Sequence, residues 1–188
     1  MGETDEMIYN RYLSEHNEDD FRILLERHRE SLTLFLMGYV HNEEDAEELM
    51  IDAYAEVAAD GGYLGKSSFK TWLFSIGKNL ALMKVRKRRF GFIFMDREIE
   101  ESDVLEQNTP EMEILKEERN QQLIKALDCI NEDYRQILIL IYFEEMSVED
   151  AAKVMRMNRK KIYNLTERGK KALKAELERQ GFSYAQYE

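Results

Sequence analysis

The sequence contains one cysteine, one proline and no long apolar run. The single thiol, Cys129, cannot form an intrachain disulfide, and its neighbours Leu127 and Ile130 predict a small buried residue in a reducing compartment. No segment approaches the ~20 apolar residues of a membrane helix, and residues 1–20 are acidic and lack the apolar core of an export signal. These absences predict a cytoplasmic location without membrane insertion.

Positive charge is also scarce, since 27 lysines and arginines face 38 aspartates and glutamates, for a net charge of −11. Such an excess of acid argues against non-specific nucleic-acid binding by the whole molecule. The charge is segregated, however. Acid dominates residues 43–60 and 96–118, whereas base dominates residues 84–89 and 159–174. Two basic patches in an acidic body predict two separate DNA contacts.

Apolar residues recur at helical spacing along most of the chain, and no strand-like alternation competes with them. The predicted fold class is therefore all-α, with two small helical domains joined by an acidic flexible linker. The predicted boundaries are a polar segment at 1–20 with at most one weak helical turn, a first domain at 21–90, the linker at 91–117, a helix-turn-helix domain at 118–181 and a frayed tail at 182–188. Residues 133–145 are apolar nearly all round and predict a core helix, while His28 is expected to be a hydrogen-bonded histidine at the core edge.

Residues 147–177 predict two helices joined by a short turn. Ser147 and Asn158 are suitable N-caps for the first and second helix. The outer face of the second helix combines cations with side chains that can address base edges, whereas a purely solvated face would need only the charges. This helix is predicted to read the DNA major groove. Its candidate DNA-binding residues are Arg159, Lys160, Lys161, Tyr163, Asn164, Glu167, Arg168 and Lys171.

The helix predicted over residues 68–89, capped by Ser67, carries a second candidate DNA site. Trp72, Asn79 and Arg86 recur every seven residues along one edge, and the helix ends in a basic run. An aromatic ring, an amide and a row of cations suit melted or single-stranded DNA. A core position for Trp72 is an equally good interpretation. The candidate residues are Trp72, Lys78, Asn79, Arg86, Lys87, Arg88 and Arg89.

The helix predicted over residues 43–59, with Asn42 as its cap, has an acidic outer face that suits docking on another protein. Its candidate residues are Glu44, Asp45, Glu47, Glu48 and Asp52. A carboxylate-bridged metal site is the alternative, because His41, Glu44 and Glu48 lie close together on a helix. Bundle metal sites of that kind use Glu-x-x-His pairs, and the chain has none, so neither a metal nor another cofactor is expected.

Two stretches resemble one family in the right order. Asp45-Ala46-Glu47-Glu48-Leu49 and Phe69-x-x-Trp72-Leu73-x-x-Ile76-x-x-Asn79 resemble the core-binding and promoter-melting domain of extracytoplasmic-function (ECF) sigma factors, bacterial RNA polymerase initiation subunits. Residues 130–173 resemble the minus-thirty-five-reading domain of the same family. The two short motifs belong to a longer resembling stretch, residues 21–58 and 67–89, and with residues 130–173 it covers most of the chain.

The resemblance implies promoter DNA and core RNA polymerase, through its largest and second-largest subunits, as partners, with an anti-sigma factor as a further candidate. It implies that the acidic helix docks on the clamp helices of the largest subunit, that the helix of Trp72 and Asn79 opens the minus-ten element, and that the linker threads the RNA path near the polymerase active centre. It also implies that residues 159–171 read the minus-thirty-five element. No enzymatic activity is implied.

Five residues depart from the family pattern. Met83 stands where the family usually has Asp, and Arg156-Met157 stands where the turn usually holds Gly-Ile, so a different backbone path is expected there. Tyr163 and Glu167 replace residues that are often basic or small, so no base preference carries over. Two other classes compete with the initiation factor: a stand-alone helix-turn-helix regulator with a sensing or dimerising bundle, and a helical-bundle metalloenzyme.

Overall fold

A computed structural model of the protein describes residues 2–59, 62–94 and 117–181. These ranges contain eight α-helices, one π-helical turn and no strand, which confirms the all-α prediction. The elements in chain order are α1 (Asp5–Glu15), α2 (Glu18–Val40), α3 (Glu43–Ala59), α4 (Phe69–Phe94), α5 (Glu117–Cys129), α6 (Glu132–Leu138), the π-helical turn (Ile139–Phe143), α7 (Val148–Met155) and α8 (Arg159–Arg179). Among the helices within these ranges, none is long and apolar enough to cross a membrane. The predicted linker beyond residue 94 and the predicted tail lie outside the described residues.

Most of the predicted helix starts are confirmed by their caps. The side chain of Asn42 accepts a hydrogen bond from the backbone N–H of Asp45 at 2.9 Å, and Asn158 accepts one from Lys161 at 2.8 Å. Ser147 likewise caps α7. The cap predicted for α4 is wrong by one residue, because it is the Ser68 hydroxyl that accepts from the backbone N–H of Thr71. Each cap satisfies a backbone donor that the first helical turn leaves without a partner.

The prediction of a polar N-terminal segment is wrong. Residues 5–15 form α1, which packs on α2 and α4. Ile8 and Tyr9 have no exposed surface, and the Tyr9 hydroxyl donates to the carbonyl of Val57 at 2.9 Å. The apolar stripe of α1 is narrow and lies in a helix that is polar on average, so its periodic signal is weak. Because of these contacts α1 belongs to the N-terminal unit, defined here as α1–α4.

The core of the N-terminal unit lies between α2, α3 and α4. Leu32 and Phe35 of α2 are fully buried, as are Leu73 and Phe74 of α4. A Cβ atom at Gly77 would lie 3.1 Å from a terminal methyl of Leu32, so the missing side chain lets α4 approach α2 closely. The close approach fixes the direction in which α4 points its exposed side.

In the C-terminal unit, α5–α8, two predictions are wrong. The expected continuous core helix at 133–145 is interrupted after Leu138, and the backbone N–H of Glu144 donates to the carbonyl of Ile139 at 3.1 Å, five residues back. The wider turn leaves Tyr142 and Phe143 about half exposed. Cys129 is exposed, because Ala126 and Leu127 occupy the buried face of α5 and a residue two positions further along an α-helix points away from it.

The two units also pack directly against each other. Helix α7 contacts α4, and α6 with the π-helical turn contacts α2. Gly38 of α2 lies at the crossing, where an added Cβ would be 3.2 Å from Nε2 of Gln136 and 3.3 Å from Nη2 of Arg135. Arg135 and Gln136 are both buried there. The sequence had predicted only a linker between the units, so this contact is a new feature.

Candidate nucleic-acid interface

The outer face of α8 presents the residues predicted to contact the minus-thirty-five element. Lys160, Lys161, Asn164 and Arg168 are exposed and line one open depression together with Asn158 and Leu165. The opposite side is anchored by Ile162, which is fully buried, and by Gly169, where a Cβ would be 3.3 Å from Leu138. Amide and cationic donors therefore converge at the N-terminal half of a helix whose other face is fixed in the fold.

The other four predicted DNA-binding residues of this helix differ in their exposure and in their ion-pair partners. Tyr163 and Lys171 are exposed. Arg159 pairs with Glu149 of α7 at 2.6 Å. The pKa of the Glu149 carboxyl is lowered first by its own backbone N–H and second by the hydrogen bond from Arg159. Glu167 pairs with Lys170, three residues further along the helix, at 2.5 Å. Lys171 faces solvent.

The turn of the helix-turn-helix keeps a glycine-like backbone without a glycine. Arg156 has φ 54° and ψ 44°, which is the left-handed conformation that commonly ends a helix. The expectation of a different backbone path is therefore wrong. The turn places the Arg156 guanidinium against the N-terminal unit, where it donates to Oδ1 of Asn79 at 2.8 Å.

The predicted melting residues on α4 divide into two groups. Asn79, Arg86, Lys87, Arg88 and Arg89 are exposed. Lys78 is buried, and its ammonium donates to the carbonyl of Val154 at 3.0 Å. Burial, reinforced by the nearby positive charge of Arg156, lowers the pKa of Lys78 to about 8. Lys78 is thus held by α7 in this conformation and does not face solvent.

Trp72 is part of an aromatic cluster in the core edge. Its ring centroid lies 5.3 Å from that of Tyr63, 5.6 Å from Tyr9 and 6.0 Å from Phe69. The side chain is half-buried. Of the two interpretations left open by the sequence, these contacts favour the core position. One edge of α4 carries Trp72, Asn79 and Arg86. Along this edge Trp72 is half-buried, whereas Asn79 and Arg86 are exposed.

The acidic face of α3 meets the basic end of α4. Glu44, Glu47, Glu48 and Asp52 are exposed, whereas Asp45 is half-buried. The carboxylate of Asp45 is 2.8 Å from the ammonium of Lys84 and also pairs with Arg88. Burial raises the pKa of Asp45, but the bonds to Lys84 and Arg88 outweigh it and lower the pKa below its usual value. Two surfaces that the sequence assigned to different partners are therefore coupled through one carboxylate.

A polar cluster at the junction of the two units has no signature in the sequence. We call it the interdomain clasp, and it consists of Asp5, His28, Ser31 and Glu144. The two ring nitrogens of His28 lie 2.9 Å from Asp5 and 2.9 Å from Glu144. The expected hydrogen-bonded histidine is confirmed, but its partners are far away in sequence and left no pattern to find. No metal-binding group of His, Cys, Asp and Glu occurs in the part of the chain that the structure describes.

Comparisons with known proteins agree with these features. The family model for sigma-70 region 2 matches residues 24–90, and the model for sigma-70, region 4, matches residues 120–173. The ECF RNA polymerase sigma factor SigX of Bacillus subtilis is 28% identical over 169 residues, covering 86% of this chain and 85% of the relative. The RNA polymerase sigma-H factor of Pseudomonas aeruginosa is 28% identical over 144 residues, covering 72% and 75%.

Two solved structures share the fold. The sigma factor RpoE in its co-crystal with the anti-sigma factor NepR from Bartonella quintana superposes with a TM-score of 0.63 at 25% identity, over 85% of this chain and 97% of that one. CnrH in complex with the cytosolic domain of CnrY gives a TM-score of 0.60 at 20% identity, over 94% and 98%. Both units of the present chain are covered in these superpositions.

Proposed function

Because the chain belongs to the sigma-70 family of RNA polymerase initiation factors, as an ECF sigma factor, we propose that its three candidate surfaces divide the work of promoter-specific initiation. Helix α8 reads the minus-thirty-five element, the exposed end of α4 holds the minus-ten element as it melts, and α3 docks on core polymerase. The observation that carries this division is that each surface projects from a separate helix whose opposite face is buried in the core.

For α8 the reading residues are Lys160, Lys161 and Asn164, near the N-terminus that normally enters the groove. An asparagine can bond bidentately to adenine and a lysine to guanine acceptors, each contact contributing about 1–3 kcal/mol of discrimination. Arg168 and Lys171 lie further along the helix and hold phosphates. Glu167 is already paired with Lys170, so it positions that lysine and does not read a base.

For α4 the exposed cations Arg86, Lys87, Arg88 and Arg89 neutralise backbone phosphates, and the Asn79 amide offers a base contact. The half-buried Trp72 supports this edge from beneath. Lys78 joins the site only when α7 no longer accepts its hydrogen bond.

For α3 the docking residues are those without an internal partner. Within the described ranges Glu44, Glu47 and Asp52 form no ion pair, and they project from the same side as Glu48. Unpaired carboxylates on a rigid helix suit a basic partner surface, because electrostatic complementarity speeds encounter and selects the partner. That surface is expected on the clamp helices of the largest polymerase subunit, with the linker lying near the active centre formed with the second-largest subunit.

This function places the protein on DNA-bound polymerase in the cytoplasm and needs no catalysis of its own. Because the relative RpoE is crystallised with the anti-sigma factor NepR, an anti-sigma factor is a candidate third partner here.

The test is transcription from a promoter library by purified core polymerase with and without the protein. Promoter-selective transcripts are expected only with both. The competing function, a stand-alone helix-turn-helix regulator, would bind duplex DNA without retaining core polymerase in a pull-down, and that result would overturn the assignment of α3.

Two matched pairs of variants assign the surfaces. The double change Glu47→Lys and Asp52→Lys should weaken binding to core polymerase about tenfold. The control is the double change Glu26→Lys and Glu30→Lys on the exposed side of α2, which should leave this affinity within about twofold. Asn164→Ala should relax base preference at one or two positions of the minus-thirty-five element, whereas Lys171→Ala should weaken every sequence alike. Equal weakening of all sequences by Asn164→Ala would show that this residue does not read bases.

A further inference from the structure

The outer face of α8 carries one large aromatic ring among its charged and amide groups. Tyr163 is 61% exposed, and within the described ranges its side chain has no hydrogen-bond, ion-pair or ring partner. A single exposed ring is ordinary on a protein surface, so its position on the helix decides what it can bind. The residue also replaces one that is often basic or small in the family.

Tyr163 lies on the part of α8 that is proposed to face DNA. It is the fifth residue of the helix, and the N-terminal residues of a recognition helix normally enter the groove. At about 100° per residue, Tyr163 lies about 60° to one side of Lys160, and Asn164 lies about 40° to the other side. The ring therefore flanks the residues proposed to read base edges.

The helix holds this ring in a fixed direction. The preceding residue, Ile162, is fully buried, and its carbonyl accepts a hydrogen bond from the buried Thr166 hydroxyl at 2.9 Å. Glu167 is the i+4 neighbour of Tyr163, and its carboxylate pairs with Lys170 at 2.5 Å. A cation thus balances the one negative charge beside the ring, so the carboxylate does not oppose the approach of DNA.

The chemistry of the major groove limits what an aromatic ring can read there. Every base pair presents hydrogen-bond donors or acceptors, but the only apolar group on display is the C5-methyl of thymine. Contact between that methyl and the tyrosine ring removes apolar surface of both from water. We propose that Tyr163 is a specificity-determining residue that contacts the methyl group of one thymine in the minus-thirty-five element. This inference rests on the proposed role of α8 in reading that element.

The helix geometry also predicts where this thymine lies and how much it contributes. Tyr163 and Asn164 are consecutive residues, separated by about 1.5 Å along the helix axis, whereas base pairs are spaced by about 3.4 Å. The thymine should therefore lie within about two base pairs of the position that Asn164 reads. Burial of one methyl group corresponds to about a fourfold change in affinity.

The test compares thymine with deoxyuridine, which lacks only the methyl group. The full chain is assembled with core polymerase, and its affinity is measured for a duplex that carries the minus-thirty-five element selected from the promoter library. Each thymine of the element is then replaced in turn by deoxyuridine. With the parent protein, one of these replacements should weaken binding about fourfold. Tyr163→Ala should abolish that difference, whereas Tyr163→Phe, which keeps the ring, should retain it.

Phe143→Ala is the matched control, because it removes another exposed aromatic ring of the same unit, outside the residues proposed to bind DNA. It should retain the fourfold difference between the two duplexes. Circular dichroism checks that each variant is folded, and the deoxyuridine replacement tests the methyl contact in the parent protein without any change to the chain.

Three results would overturn the proposal. They are a selected element in which no thymine responds to the replacement, the same response in Tyr163→Ala as in the parent, and a response that is lost in Tyr163→Phe, which would assign the contact to the hydroxyl. Failure of the proposed function gives a different result, because Lys171→Ala would then leave the affinity for every sequence unchanged. If only the methyl contact is absent, Lys171→Ala still weakens binding.

Discussion

Replacing His28 with glutamine should change how the stability of the protein depends on pH. His28 is buried between Asp5 and Glu144, and its pKa is raised from 6.5 to about 9. A group whose pKa is higher in the folded state stabilises that state fully below its unfolded pKa, and the contribution is lost as pH rises through the folded pKa. The window for His28 therefore runs from pH 6.5 to about 9.

The size follows from the shift. Protonated His28 should contribute about 3 kcal/mol to the free energy of unfolding at pH 6, about 2 kcal/mol at pH 7.5 and less than about 0.5 kcal/mol at pH 9. Lys78 titrates in the same range with the opposite sign. Because burial lowers its pKa to about 8, the folded state gains stability as Lys78 loses its proton on raising the pH. The pH dependence of the free energy of unfolding in the wild type is therefore the sum of the His28 and Lys78 contributions. The difference between wild type and His28→Gln isolates the contribution of His28.

The assay is urea unfolding at a series of pH values, followed by the fluorescence of Trp72, the only tryptophan, and by circular dichroism. His41→Gln, an exposed histidine at the end of α2, is the matched control and should follow the wild type. The gap between wild type and His28→Gln should shrink by about 2–3 kcal/mol from pH 6 to pH 9. A gap that is constant over this range would refute the charged clasp and leave only a packing role for His28.

Three other changes have defined outcomes. Tyr9→Phe leaves the buried carbonyl of Val57 without its donor and should lower the free energy of unfolding by about 1–2 kcal/mol, measured by urea unfolding. Gly169→Ala places a Cβ 3.3 Å from Tyr134 Cβ and Leu138 Cγ, and this crowding should exceed the gain of about 1 kcal/mol in helix propensity, so the thermal midpoint should fall; a higher midpoint would contradict that close packing. Asp45→Asn frees Arg88 from its carboxylate, whereas Lys84 keeps its pair with Glu48. The change should steepen the salt dependence of non-specific DNA binding by about one unit, with an unchanged slope counting against the coupling of α3 to α4.

Strong local periodicity made much of the fold predictable. The cores of α2, α3 and α4 follow from the spacing of residues such as Leu32, Ala53 and Leu73, and the caps Asn42, Ser147 and Asn158 follow from residue type. Helix α1 was missed because a narrow apolar stripe in a polar helix gives little signal. The interruption after Leu138 was missed because an apolar run does not reveal where a helix changes its hydrogen-bond spacing.

The exposed faces of α3 and α8 could be predicted for the same reason, since a face opposite a core stripe must point outward. Contacts between residues far apart in sequence could not. Lys78 belonged by position to a row of DNA-facing residues, yet the arrival of α7 buries it. Asp45 was predicted to lie on the docking face of α3, yet its carboxylate forms ion pairs with Lys84 and Arg88. Both cases depend on which helices meet, and no local pattern encodes that.

The π-helical turn determines the direction in which the Glu144 side chain points. Such a turn accommodates one residue more than an α-helix of the same length. Drawing residues 139–143 back into regular α-helical spacing at full length would rotate everything after them by about 100°, enough to swing the Glu144 carboxylate off the His28 ring. Deleting Tyr142, whose side chain is already half exposed, would remove the surplus residue and leave Glu144 in phase with α2. The one extra residue of the π-helical turn therefore sets the rotation of the chain that follows it, and this rotation decides whether Glu144 faces His28.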